Sequence, residues 1–425
     1  MSETAERTTR RCSERHAGAT NRFSSVDQEA GIVCEKPADT KDTLWLVVAM
    51  IVIAMALRPG IASIGPVLPL ITRAFSLSHA VASLLTTIPI LLMGLLAIPS
   101  AWMAKQFGRT RVLLASLVVL LVSMAARAFA ANVAVLYLST LGVGAGIAVA
   151  GTLFAGLIKS RFPTKVALMM SLYATALAFS STVSAAATGT IAALSDTNGW
   201  RLGTGIWTPV ALIAVGAALV ILIREKPQVQ RTTPRATRHA PLPLTSKSAW
   251  LIALFFACDN FLFFAFLAWL APIYIERGFS AVLASLLLAT FTISFTLAIP
   301  VFGSLSRAHD RRGWLAACAA LMGIGTLALA VRPLVMPHVW VAIAAFGLGG
   351  GFTLGMTLPL DNVHAPDEVE SWNAFVMTVG YLVAAAGPLV VGALRDFTGS
   401  FSAPIWLAFI IAVVTLVLTP FLAPR

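Results

Sequence analysis

Twelve apolar stretches, each about as long as a bilayer-crossing helix, follow one another from Leu44 to Leu422 with mostly short polar turns between them. A helix needs ~20 apolar residues to cross a hydrocarbon core of ~30 Å. Inside a bilayer every backbone polar group must be paired within the protein, which leaves only helices and closed barrels. The stretches are far longer than the ~9–11 residues of a barrel strand, so helices are expected. They are predicted over residues 44–71, 79–102, 112–130, 133–158, 166–194 and 203–223, then 249–275, 279–303, 314–332, 338–360, 372–394 and 403–422. Composition supports the same class, since 58% of residues are hydrophobic and 11% charged, against ~45–50% apolar in a soluble domain. The expected fold is an all-α polytopic membrane protein with twelve transmembrane helices.

Polar stretches divide the chain. Residues 1–43 mix both charge signs and contain no short apolar region with a small-residue cleavage site, so they are read as a disordered cytoplasmic tail and not a signal peptide. Residues 224–248 form the only long polar stretch within the membrane part and are read as a cytoplasmic linker between bundles at 44–223 and 249–425.

The two bundles repeat one another. Gly142, Gly144 and Gly146 recur as Gly347, Gly349 and Gly351, each 205 positions later, and Arg127 and Arg332 keep that offset. Asp196 and Gly199 match Asp396 and Gly399, and the second and eighth helices both finish in Ala-Ile-Pro, at Pro99 and Pro300. Duplicated bundles around a central site are a transporter architecture. The glycine strings are read as tight helix packing, which small residues permit where lipid gives no hydrophobic drive, and they are also compatible with sliding surfaces. Without a strand before them they are not nucleotide loops.

The formal net charge of +12 could indicate a nucleic-acid partner, but the basic residues fall in short runs between apolar stretches. Retention of positive charge on the cytoplasmic side explains them better. Placing both termini inside puts 23 of the 30 Lys and Arg, including all seven lysines, on the cytoplasmic side; Arg73, Arg127, Arg201, Arg277, Arg332 and Arg395 fall outside. Cys12, Cys34, Cys258 and Cys318 have no metal-ligand spacing, so neither a metal, a disulfide nor any other cofactor is expected.

Arg58 lies 14 positions into the first apolar stretch, hence ~20 Å along the helix and near mid-membrane. A charge there costs ~2.5–3.5 kcal/mol on insertion scales and normally faces the bundle interior with a partner. Pro59 and Gly60 follow, then Gly65, Pro66 and Pro69, which should break the helix and free backbone groups toward a cavity. The planar guanidinium suits a carboxylate or another small planar anion, so Arg58 is a solute-binding candidate, with a structural ion pair as the alternative. Asp259 and Asn260 interrupt the seventh stretch at nearly the corresponding depth, and Asp259 is expected to be a proton-coupling site or a counter-ion, within plausible reach of Arg58. Trp269, Tyr274, Phe261, Phe263 and Phe264 make this stretch aromatic, as pocket lining, interfacial anchors or packing. Ser180, Ser181, Thr182 and Ser184 could wet a cavity or bond back to helix carbonyls.

An enzyme of this class would need a catalytic constellation, yet the chain carries no HExxH, no GxSxG and no clustered histidines. There is no GxxxxGK[ST] loop either, so energy must come from an ion gradient or the solute's own gradient.

In helix count, paired halves, linker and topology the chain resembles the major facilitator superfamily after its tail. KQFGRTR at 105–111 resembles that family's loop between helices 2 and 3, with Gly108, Arg109 and Arg111 in place but Lys105 near where an acidic residue usually stands; SRAHDRRG at 306–313 supplies Asp310, Arg311, Arg312 and Gly313 in the second half. ALRPGIASIGPVLPLI at 56–71, TIPILLMGLLAIP at 87–99, LIKSRFP at 157–163 and WLAPIY at 269–274 are similar to the cyanate and 2-nitroimidazole transporter group. This resemblance implies an inner-membrane carrier of a small anionic or planar nitrogen-containing solute, with Arg58 as the binding group, Asn260 a further match and the two loops acting in gating. Asp259 looks peculiar to this sequence. The partners expected are the solute and the bilayer, with no nucleic acid, and the chain is expected to act as a monomer. An exporter of a drug-like organic compound is the alternative reading.

Overall fold

The computed structural model describes residues 40–162, 166–195, 198–224, 242–306, 310–362 and 366–423. The tail up to residue 39, linker residues 225–241 and Asp196 lie outside them. One unit covers Met1–Val47, of which residues 40–47 are helical, and a second covers Val48–Arg425 and holds every candidate site residue.

The helices in chain order are α1 (Thr40–Leu57), α2 (Pro59–Ala62), α3 (Ile64–Ala74), α4 (His79–Leu95), α5 (Ala97–Phe107), α6 (Arg109–Ala128), α7 (Val133–Arg161), α8 (Val166–Ala192), α9 (Gly199–Gly205) and α10 (Thr208–Arg224). They continue as α11 (Lys247–Glu276), α12 (Ala281–Leu305), α13 (Arg312–Val331), α14 (Pro337–Asp361), α15 (Pro366–Thr398) and α16 (Ser402–Leu418). Among the described residues eleven stretches of helix are long and apolar enough to cross a membrane, and the bent second span, α4 with α5, brings the total to the twelve expected, in two six-helix bundles. Val122, Leu212, Ile213 and Val417 are each more than half exposed, as side chains facing lipid would be.

Three spans are broken within three residues of a proline, the first of them as Pro59 and Gly60 led one to expect. The ring removes a backbone N–H and crowds the carbonyl four residues earlier. The first span breaks at Arg58, before Pro59, and again at Ser63, before Pro66. The second turns at Leu96, three residues ahead of Pro99, and runs on to Phe107, beyond the predicted end. The sixth is interrupted at 206–207, ahead of Pro209.

The glycine strings are contact surfaces, as the packing reading expected. A Cβ on Gly144 would lie 2.7 Å from the backbone of Pro89 on α4, and one on Gly347 would lie 2.5 Å from the Cys318 carbonyl on α13. Gly349 abuts the Phe295 carbonyl of α12, so α14 approaches α12 as α7 approaches α4. Between the bundles, α4 packs on α15 and α8 on α12. A Cβ on Gly392 would stand 2.6 Å from the His79 carbonyl, and Thr182 bonds Thr292 at 3.0 Å.

Candidate functional site

Arg58 occupies the turn between α1 and α2, and its carbonyl accepts from Ile61 and Ala62 as the chain re-enters helix. Pro59 leaves the Met55 carbonyl without its usual donor, and Ser180 Oγ on α8 donates to that oxygen. Ser180 thus caps a broken helix and is not free to wet a cavity. On the far side of Arg58, the Nη1 of Arg127 donates 2.8 Å to the Gly60 carbonyl. The break is held from both sides by side chains of the same bundle.

Among the described residues the Arg58 guanidinium makes no hydrogen bond or ion pair; the phenols of Tyr173 on α8 and Tyr381 on α15 lie within its electrostatic reach. Tyr173 stacks on Phe154 with ring centroids 4.5 Å apart, and Tyr381 meets Phe256 at 6.4 Å and Phe264 at 6.3 Å. The arrangement is a positive charge with two hydroxyls and a wall of rings, contributed by the first, fourth, fifth, seventh and eleventh spans. It is suited to a small anion or a planar polar ring.

Asp259 is not paired with Arg58. Its Oδ1 faces Gly351 of α14, where a Cβ would come within 2.5 Å, and its Oδ2 is buried with no hydrogen-bond partner among the described residues. The neighbouring ionisable groups are Cys258 and Cys318. Gly351 therefore makes room for a carboxyl inside the second bundle, while Arg58 faces α8 and α15. Asn260 is buried, and its Nδ2 donates 2.9 Å back to the Phe256 carbonyl, fixing the α11 turn that carries the Phe256 ring.

Trp269 and Tyr274 are not brought to Arg58. Trp269 Nε1 donates to the Pro388 carbonyl at 2.8 Å and its ring lies against His79 and Phe401, whereas Tyr274 Oη donates to the Pro333 carbonyl at 2.8 Å. Tyr274 stands 14 residues beyond Asn260 on the same helix, about 21 Å along its axis. Both side chains tie α11 to its neighbours.

Arg127, expected at the outer end of the third span, is turned inward. It belongs to α6, is 2% exposed, and leaves its Nε and Nη2 without partners among the described residues.

The two loops match in one function. Gly108 has φ +88 at the start of α6, a conformation glycine adopts readily. Arg109 Nη1 donates 2.7 Å to the Gly156 carbonyl on α7, where a Cβ would sit 3.1 Å from the guanidinium carbon. In the second bundle Arg311 makes the corresponding reach and finds a carboxylate, Asp361 at the end of α14, at 2.6 Å, while also donating to the Ser306 carbonyl. Arg312 pairs with Asp310 at 2.7 Å, and Arg111 and Gly313 are exposed.

One further cluster carries no motif in the sequence beyond the repeat match of Asp396 with Asp196. Asp396, near the end of α15, accepts from the backbone N–H groups of His79 (3.0 Å) and Ala80 (2.8 Å) and from His79 Nδ1 (2.7 Å). It caps the first turn of α4, where unpaired N–H groups and the helix dipole favour an anion. Arg395 beside it pairs with Glu276 at 3.0 Å.

The model of the Major Facilitator Superfamily matches residues 44–284 and 249–425. The chain is similar to the cyanate transport protein CynX of Escherichia coli (strain K12), 29% identical over 356 residues, 84% of this chain and 91% of that protein. It is likewise similar to the 2-nitroimidazole transporter of the same organism, 29% identical over 393 residues, 88% of this chain and 94% of that protein. Among solved structures it shares its fold with a D-xylose-proton symporter, with TM-score 0.73 at 14% identity, covering 90% of this chain and 98% of that one.

Proposed function

The chain belongs to the major facilitator superfamily and is therefore a multi-pass membrane transporter and not an enzyme; from that premise we propose that it carries a small anionic or planar nitrogen-containing solute by alternating access. The observation that carries this reading is the Arg58 guanidinium, placed at a break in the first span, beside Tyr173 and Tyr381 and paired with no carboxylate among the described residues. A charge at that depth is costly, and an anionic or strongly polar solute completes it. The rings of Phe154, Phe256 and Phe264 beside the two tyrosines favour a flat solute over a globular one. The relatives named for cyanate and 2-nitroimidazole transport supply two candidates of this chemistry.

Transport is coupled to protons through Asp259, whose Oδ2 is buried against α14 without a partner among the described residues. The bundles at 44–223 and 249–425 rock about the Arg58 site, with Arg109 and Arg311 fastening their loops to the ends of the fourth and tenth spans. Asn260 shapes the wall, and Trp269 and Tyr274 serve packing. Both termini are cytoplasmic, in agreement with the distribution of Lys and Arg, and the monomer is the working unit.

The test is uptake of labelled cyanate and of labelled 2-nitroimidazole into proteoliposomes, with and without an inward proton gradient. Saturable uptake of either, stimulated by the gradient in the native protein and indifferent to it in Asp259→Asn, is the expected outcome. Uptake that responds equally to the gradient in both removes Asp259 from the coupling.

A further inference from the structure

We propose that Arg127 is a positioning residue for solute binding, fixing through the Gly60 carbonyl the elbow from which Arg58 projects. The proposal rests on the reading of Arg58 as the binding group.

Three observations on the third span support it. First, the contact falls where it matters: Gly60 is two residues from Arg58 and within the four-residue helix α2, bounded by the breaks at Arg58 and Ser63. A segment so short has few hydrogen bonds of its own to define its direction. Second, α2 is otherwise seated by close packing, since a Cβ on Gly60 would stand 2.8 Å from Val143 Cγ1. The Arg127 bond therefore sets how this small helix is turned on α6 and α7, and Ser180 holds the Met55 carbonyl on the other side of Arg58. Third, Arg127 is buried with a single bond, its Nε and Nη2 having no partner among the described residues. A guanidinium carrying two idle donors is a poor choice for packing alone, because an apolar side chain would fill the space without leaving donors unpaired. Its one bond, to a carbonyl of the elbow, is the feature that an apolar replacement would lack.

The experiment is saturable uptake of labelled 2-nitroimidazole by proteoliposomes holding native protein, Arg127→Met, Arg127→Lys or Arg58→Ala. Arg127→Met is expected to raise KM tenfold or more with the maximal rate within about threefold of native, because the elbow is turned but the bundles still rock. Arg127→Lys keeps a charged donor able to reach the same carbonyl and should recover most of the native KM. A native KM in Arg127→Met overturns the proposal, as does a Lys variant as impaired as the Met variant, which would show that the single donor to Gly60 is not what matters. Should Arg127→Met fail to fold, Arg127→Leu, which also carries no donor, replaces it, and a native KM there is equally fatal. Arg58→Ala separates the two levels: uptake insensitive to it removes the binding site itself, while uptake lost there but unchanged in Arg127→Met removes this inference alone.

Discussion

Removing the Asp396 carboxylate should weaken the contact between the second and eleventh spans by an amount the geometry allows one to set. The carboxylate accepts three hydrogen bonds at 2.7–3.0 Å, two of them from the first backbone N–H groups of α4. A bond to a charged group contributes ~1.5–3 kcal/mol when shielded, but both side chains are 30% exposed, so about 1 kcal/mol each is the better figure after screening. Asp396→Ala then costs about 2–3 kcal/mol, or a factor of about 30–150 at 1.4 kcal/mol per tenfold. If the bundles must part at this contact during transport, a parted state held at one in a hundred in the native protein becomes about as populated as the closed one. The assay is pulsed electron paramagnetic resonance between spin labels at Ala74 and Thr398, both exposed. A long-distance component that grows strongly in Asp396→Ala and less in Asp396→Asn, which still accepts a bond, is the expected result. A distance distribution identical in all three proteins refutes the reasoning.

Ser180→Ala leaves the Met55 carbonyl without its donor and should lower stability by about 1–2 kcal/mol, seen as a lower melting temperature in detergent. Gly349→Ala drives a methyl group onto the Phe295 carbonyl and should yield little folded protein, whereas Gly216→Ala, with open space around it, should be tolerated; fluorescence-detected size-exclusion chromatography reads both. Arg311→Ala removes the pair with Asp361 and the bond to Ser306, and leaves a largely buried carboxylate that should cost about 1–3 kcal/mol in thermal stability, partly regained in Arg311→Ala with Asp361→Asn.

Much of the fold is legible because bilayer thickness turns length and apolarity into helix count, and duplication shows in the 205-residue offset. The break at Arg58 is legible too, since Pro59 and Gly60 act on the backbone locally. The surroundings of Arg58 are harder to read. Tyr173 and Tyr381 look like any aromatics in an apolar span, and only their rarity, two of four tyrosines in the chain and 208 positions apart, close to the repeat offset, hints at a shared site. Asp259 misleads because α11 is buried on nearly all faces, so the pattern of apolar residues does not say toward which neighbour a polar one points. Trp269 and Tyr274 mislead in the opposite way: their polar atoms suggest a pocket, but carbonyls of Pro388 and Pro333 take them up. Arg127 stands at the end of its helix, where its position suggests a loop charge, and only the folded first span supplies the carbonyl that draws it inward.

The central claim is that Arg58 holds the solute, and equilibrium binding of labelled 2-nitroimidazole and of cyanate to purified native protein, Arg58→Lys and Arg58→Ala tests it most directly. Saturable binding of at least one of them by the native protein is expected, weakened in the lysine variant and lost in the alanine variant, with melting temperatures close to native in both. Undiminished binding by a folded Arg58→Ala protein would contradict it.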